Sequence, residues 1–170
     1  MEYFNLIKER FSVRSFKKEK ISEDKIKMIL TAGHLAPTGC NNQPQRIYVF
    51  KSDDAIEKLK SCTKCHFNAP NAMLVCYNKD EVWRRKYDGK SSGVADASIV
   101  ATHMMLAAAD IGVGTTWVMH FDPKAMVDTL EIPENIIPVA LLVMGYPADD
   151  AKPLGLHFES RPIEETVIYK

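Results

Sequence analysis

The chain has no excess of either charge: Lys plus Arg and Asp plus Glu each number 22, so the net charge is zero. Without a long-range field to draw it onto a polyanion, nucleic acid is not expected as a partner. Nor does any apolar run approach the roughly 18 residues that a membrane-spanning helix needs. The longest, Val139 to Val143, suits a buried strand. Residues Met1 to Phe11 are broken by Glu2, Lys8, Glu9 and Arg10 and lack the apolar stretch of an export signal. A protein of the cytoplasm is expected, with no membrane partner. Cysteine is scarce, at four (Cys40, Cys62, Cys65 and Cys76). In a reducing compartment these are expected to be thiols rather than a disulfide scaffold. No repeat, low-complexity tract or linker divides the chain, so residues 1–170 are expected to form one domain. What is present is ordinary globular composition, 46% hydrophobic and 26% charged.

Helix and strand signals alternate. Tyr3 to Arg10 predicts a short helix, and Ser22 is a candidate N-cap for a second, in which Ile26, Ile29 and Leu30 share a face. Ala36 to Pro44 is rich in Pro, Thr, Gly and Asn and predicts a loop. Ile47 to Phe50 and Met73 to Tyr77 read as buried strands, separated by a helix over about Asp53 to Lys60. Ser98 to Asp110 is apolar almost all round and predicts a central buried helix. A strand from Gly112 to Met119, a helix from Pro123 to Leu130 and a strand from Val139 to Met144 complete the pattern. The alternation argues for a sheet layered with helices. The tail, Pro153 to Lys170, has apolar residues but no obvious place in so short a domain. Its end, Val167 to Tyr169, suggests a strand added to a second copy's sheet.

Two constellations carry chemistry. In Arg10-Phe-Ser-Val-Arg14 two guanidinium forks flank a hydroxyl, a spacing able to clamp a phosphomonoester, although an arginine pair alone is more often a solvated face. Cys62-Thr-Lys-Cys65-His66 has the spacing of covalent haem attachment or half a zinc site. Haem attachment needs an export signal, and zinc needs two further ligands, whereas His34, His103, His120 and His157 are scattered; reduced structural thiols are favoured and no metal is expected. His103 reads as a core histidine. Asp96 is explained by the helix dipole and local capping, without chemistry.

The blocks resemble the nitroreductase family. Its Arg-x-Ser-x-Arg-x-Phe signature is matched by Arg10, Ser12, Arg14 and Phe16, followed by Pro37-Thr38 and Asn41-Asn42-Gln43-Pro44. Further blocks are Asp96 to Ile99, Leu106 to Ala109, Gly112 to Trp117 and Met144 to Pro147, so the likeness runs in order from Arg10 to Arg161. Gln45 stands where the family often has an aromatic residue, and Glu159 where larger relatives can carry a basic one. The resemblance implies an α+β fold, a mostly antiparallel sheet flanked by helices, with the C-terminal segment exchanged across a homodimer. It also implies noncovalent FMN as cofactor and NAD(P)H as co-substrate, in a ping-pong reduction of a small-molecule electron acceptor such as a nitroaromatic or quinone.

By the same resemblance, Arg10, Ser12 and Arg161 would hold the FMN phosphate and Arg14 the pyrimidine edge, where its charge favours the reduced flavin. Pro37, Thr38, Gly39 and Asn41 would approach from the partner subunit or the other side of the ring. Asn68 is a candidate for the pyrimidine carbonyl. Trp117, Val118, Met119 and His120 would run beside the flavin, with the Met119 backbone N–H near N5. No side chain is expected to act as a catalytic nucleophile. Flavin storage or sensing without turnover, and reductive dehalogenation or flavin modification on the same scaffold, are the alternatives.

Overall fold

The computed structural model describes residues 2–170. Five helices, α1 (Tyr3–Glu9), α2 (Glu23–His34), α3 (Asp53–Cys62), α4 (Gly93–Asp110) and α5 (Pro123–Leu130), surround four strands. These are β1 (Gln45–Phe50), β2 (Asn71–Asn78), β3 (Gly114–Val118) and β4 (Ile136–Gly145). The sheet is antiparallel throughout, in the order β1-β2-β4-β3.

The two central strands show why both faces need covering. Side chains alternate along a strand, and here both sets are apolar. Met73 and Val75 of β2 join Ala140, Leu142 and Met144 of β4 on the side of α2 and α4. Ala72, Leu74 and Cys76 join Leu141 and Val143 on the side of α3 and α5. Such runs make a three-layer arrangement with a core on each face of the sheet. Burial pushes the pKa of the Cys76 thiol up to about 12, which leaves it protonated and unreactive at neutral pH. Pro138 is tolerated in a central strand because the register shifts there: Val75 faces Ala140 while Cys76 faces Pro138, leaving Val139 as a bulge.

α4 buries one stripe, Ala97, Val100, Ala101, Met104 and Ala108, while the apolar Val94 and Ile99 of its other face stay exposed, so the helix expected to be buried is covered on one side only within this chain. It begins at Gly93, five residues before the predicted Ser98, and Gly93 packs against Tyr77, where a Cβ would stand 2.4 Å from ring atoms. α2 crosses α4 closely for a similar reason, since a Cβ on Gly33 would meet Met104 Cγ at 2.7 Å. Ser22 occupies the N-cap position of α2, but its side chain makes no capping hydrogen bond.

Beyond β4, Tyr146 to Ala148 pair with the N-terminal segment: Lys17 N–H donates to the Tyr146 carbonyl at 2.9 Å and Ala148 N–H to the Ser15 carbonyl at 3.0 Å. The tail then forms two 3-10 turns, Gly155–Phe158 and Ile163–Glu165. Val167 to Tyr169, expected as a strand, form none within this chain; Ile168 and Tyr169 are 79% and 92% exposed. With no strand beside it, an extended tail leaves its backbone groups to water and to local i→i+3 bonds.

Candidate functional site

α1 ends at Glu9, and Arg10 is already extended, with φ −60° and ψ 126°. Val13 N–H donates to the Thr115 carbonyl at 3.0 Å, Ser12 bridges Thr115, and the Thr116 hydroxyl donates to the Val13 carbonyl. The segment thus lies along the outer edge of β3. Val13 turns inward, 2% exposed, into the space left by Gly114, where a Cβ would stand 2.7 Å from Val13 Cγ2. In an extended chain that sends residues 10, 12 and 14 to the opposite face together. Arg10, Ser12 and Arg14 accordingly line one cleft of about 350 Å³ with Phe11, Leu154, Leu156 and His157.

No carboxylate borders this cleft. Arg10 and Arg14 form no ion pair with any described residue, so two permanent positive charges and a hydroxyl face it unneutralised. Arg14 is fixed from two sides: Nη1 donates to the Ser12 carbonyl at 3.0 Å, and the guanidinium lies 5.9 Å from the centroid of the Phe67 ring. Chemically, the arrangement suits a small dianion beside a flat polar edge.

Phe67 opens a second part of the site. It and Asn68 adopt left-handed conformations, with φ 47° and 51°, which cost a non-glycine residue roughly 1 kcal/mol or more. Thr63 holds the turn to β3's exit, its hydroxyl donating to the His120 carbonyl at 2.6 Å. Asn68, exposed, follows the Phe67 that Arg14 lies against, and Met119 and His120 are exposed at the exit of β3. Of the four residues at the end of β3, Val118 turns its side chain into the core and Trp117 is half-buried against the α4 layer. Cys62 and Cys65 are free thiols on this turn, and no three His, Cys, Asp or Glu side chains among the described residues converge to hold a metal.

The loop after α2 lies elsewhere. Pro37, Thr38, Gly39 and Asn41 lead into β1, at the far edge of the sheet from β3. Cys40, Asn41 and Gln43 have φ of 50°, 55° and 50°, a run of left-handed residues that its surroundings must impose. Across it the Thr38 hydroxyl accepts the Gln43 N–H at 3.0 Å and the Asn42 amide donates to the Glu81 carbonyl at 3.0 Å, while Asp96 anchors its start. The Asp96 carboxylate, 3% exposed, accepts the Gly39 N–H at 2.8 Å and the Ser92 hydroxyl at 2.6 Å. Gly39 also sits close to its neighbours, since a Cβ would stand 3.0 Å from both Ser92 Oγ and Trp83 Cβ and one of them would have to give. Asp96, read from sequence as a capping residue alone, therefore ties the loop to α4.

Within one chain the two groups are far apart. Three strand spacings separate the sheet's edges, roughly 14 Å. Along α4, Gly39 is held at Asp96 and Arg10 shares a pocket with Ala109, thirteen positions on (96 to 109), or about 20 Å of helix. Arg161 sits on the exposed stretch after the first tail turn and is not among the residues lining the arginine cleft. The chain thus brings Arg10, Ser12, Arg14, Asn68, Met119 and His120 to one edge, and Pro37, Thr38, Gly39 and Asn41 to the other.

The fold is an α+β sheet with a carboxylate-free arginine cleft along one edge, and no helix among the described residues is long and apolar enough to cross a membrane. The nitroreductase family model matches residues 7–80 and 67–146, and the chain belongs to that family of oxidoreductases. A crystal structure of a nitroreductase family protein from Clostridium difficile 630 is 37% identical, covers 100% of this chain and 99% of its own, and superposes with a TM-score of 0.94. A protein of Archaeoglobus fulgidus named as an NADH dehydrogenase/NAD(P)H nitroreductase is 30% identical over 156 residues, 88% of this chain and 87% of that one. An FMN-dependent nitroreductase from Clostridium difficile R20291, 22% identical with a TM-score of 0.76 over 93% of this chain and 98% of its own, shares the fold.

Proposed function

We propose that the protein is an FMN-dependent oxidoreductase that acts as a homodimer, drawing electrons from NAD(P)H and passing them to a small-molecule acceptor such as a nitroaromatic or quinone. The observation that carries this reading is the cleft where Arg10, Ser12 and Arg14 meet without a carboxylate. Its donor set fits FMN: guanidinium and hydroxyl groups for a phosphomonoester, and a further guanidinium, held by Ser12 and Phe67, for the polar edge of the ring.

Bound there, FMN would supply the two-electron chemistry that no side chain of the protein can. The chain's own residues bind and orient. Arg10 and Ser12 hold the phosphate, with Arg161 brought to it from the tail. Arg14 places a fixed positive charge by the pyrimidine ring and favours the reduced, anionic cofactor. Asn68 offers an amide to the pyrimidine carbonyl. Trp117 to His120 would flank the ring, with the Met119 backbone N–H as the group near N5. Pro37, Thr38, Gly39 and Asn41 come from the second copy, since their own lie at the opposite sheet edge. The many exposed apolar side chains of the tail and of α1, including Phe4, Leu156, Phe158 and Ile168, each at least 74% exposed, support an interface that covers them.

Purified protein is expected to show flavin absorption, and denaturation is expected to release FMN. Recovery of FAD, or failure to bind added FMN, would overturn the reading. Arg10→Ala should weaken FMN binding by about 1.5–3 kcal/mol, the range for a charged hydrogen bond. Unchanged affinity in a fluorescence titration would remove Arg10 from the site.

A further inference from the structure

A second, smaller space lies beside the segment that carries the arginines. α4 ends at Asp110, and Gly112, at φ 75°, turns the chain toward β3. Ala109 and Gly112 do little to fill the gap between that turn and α1, and a Cβ on Gly112 would meet nothing within 4 Å. What remains is a cavity of about 200 Å³, walled chiefly by Leu6, Phe11, Val13, Val113 and Pro147. Its charged lining is Glu9 and Arg10, one of each sign.

Among these apolar walls stands one unused polar group. Thr115 lines the cavity and is 2% exposed, yet its hydroxyl has no hydrogen-bond partner among the described residues. The next residue shows the ordinary arrangement, the Thr116 hydroxyl donating to the Val13 carbonyl. A buried hydroxyl without a partner is destabilising, so an occupant able to hydrogen-bond Thr115 would remove a cost that the empty fold bears. The volume sets the occupant's size. An apolar cavity of about 150 Å³ can hold a benzene ring, whereas sites for larger organic ligands start at about 300 Å³. A single ring fits; a flavin or a dinucleotide does not. Because Glu9 and Arg10 cancel, the lining has no excess charge with which to select an ion.

We propose that this cavity is a binding site for a neutral phenol, its ring against the apolar walls and its hydroxyl paired with that of Thr115, and that the arginine cleft responds to its occupancy. Size selects one ring, the Phe11 side chain favours an aromatic one, and the unpartnered hydroxyl selects a ring that carries a hydrogen-bonding group. Arg10 and Phe11 line both the cavity and the cleft. A ligand that fixes them from one side changes the binding of a ligand on the other, and the effect must be mutual. This second half of the proposal rests on the functional reading above, which puts FMN in the cleft; the phenol site itself does not.

The test titrates phenol and benzene by calorimetry into purified protein, with and without FMN. Phenol is expected to bind about tenfold more tightly than benzene, the worth of one hydrogen bond to the stranded hydroxyl. Thr115→Val keeps the shape but removes the hydroxyl, so it should erase that difference without lowering stability in urea denaturation. Ala109→Leu should fill the cavity and abolish binding of both probes, while the protein still takes up FMN. Phenol should shift the FMN dissociation constant about fivefold, and FMN that of phenol by the same factor. Absence of phenol binding in unmodified protein, equal affinity for the two probes, or a preference that survives Thr115→Val would overturn the site. Binding confined to protein dissociated into single chains would also overturn it and give the cavity to a second copy. An FMN affinity that phenol leaves unaltered would overturn the link to the cleft. Phenol binding by a protein that never takes up FMN would instead retain the site and sink the functional reading.

Discussion

The two edges of the sheet are built in opposite ways. Along β3, an extended segment is sewn to the strand so that three alternate side chains, Arg10, Ser12 and Arg14, face outward as a set. Before β1, a coiled loop is anchored at its start by a buried carboxylate and presents backbone in left-handed conformations. The first edge offers charge and the second offers shape. A ligand with a charged tail and a flat ring needs both, yet α4 keeps them about 20 Å apart in one chain. Under the proposed function, each edge would be half a site, completed by the other edge of a second copy.

The largest effect is expected from damaging each edge in a different chain. Arg10→Ala with Ser12→Ala disables one edge and Gly39→Val the other, and each variant alone should lose FMN affinity about a hundredfold. When the two are unfolded and refolded together, random reassortment in a two-fold dimer places both intact edges in about a quarter of the sites. Flavin binding that stays absent in the mixture would mean that each chain builds its site from its own residues.

A smaller effect is expected at Asp96. Asp96→Ala strands the Gly39 N–H and the Ser92 hydroxyl, and should destabilise the fold by about 2–3 kcal/mol in urea denaturation while shifting the flavin absorption bands. Asp96→Asn retains an acceptor for Gly39 and should restore the bands. Restored stability without restored bands would show that the carboxylate holds up α4 but not the loop.

The smallest effect should come from Arg14→Gln, which keeps hydrogen-bond donors but removes the charge. The flavin midpoint potential is expected to fall on the order of 30 mV, equivalent to about 1.4 kcal/mol for a two-electron couple. An unaltered potential would place Arg14 away from the ring and leave its contact with Phe67 as its whole role.

Sequence periodicity reached most elements because each follows from local pattern: β2 and β4 are continuous apolar runs, and α4 has a helical stripe. The arginine cleft was equally legible, since alternation along an extended segment is a property of neighbours. What stayed hidden joins residues distant in the chain. Nothing in the sequence couples Asp96 to Gly39, 57 positions earlier. The left-handed turn at Phe67 and Asn68 runs against the preference of a bulky residue, so propensity pointed away from it. Likewise the tail was read for its β-branched and aromatic residues, but strand formation needs a pairing partner that one chain does not supply to Val167 to Tyr169.

The stitching of Ser12 and Val13 to β3 has a further result. An outermost strand with open amide and carbonyl groups is a template on which stray chains can add, and natural proteins blunt such borders. Here the Ser12–Thr115 bridge, with the Val13 N–H on the Thr115 carbonyl, covers part of β3's outward border. The same short segment that presents two arginines to the cleft is therefore a guard against aggregation. Substitutions that loosen it would harm solubility as well as ligand binding, which narrows the changes this stretch can accept even where its side chains touch no ligand.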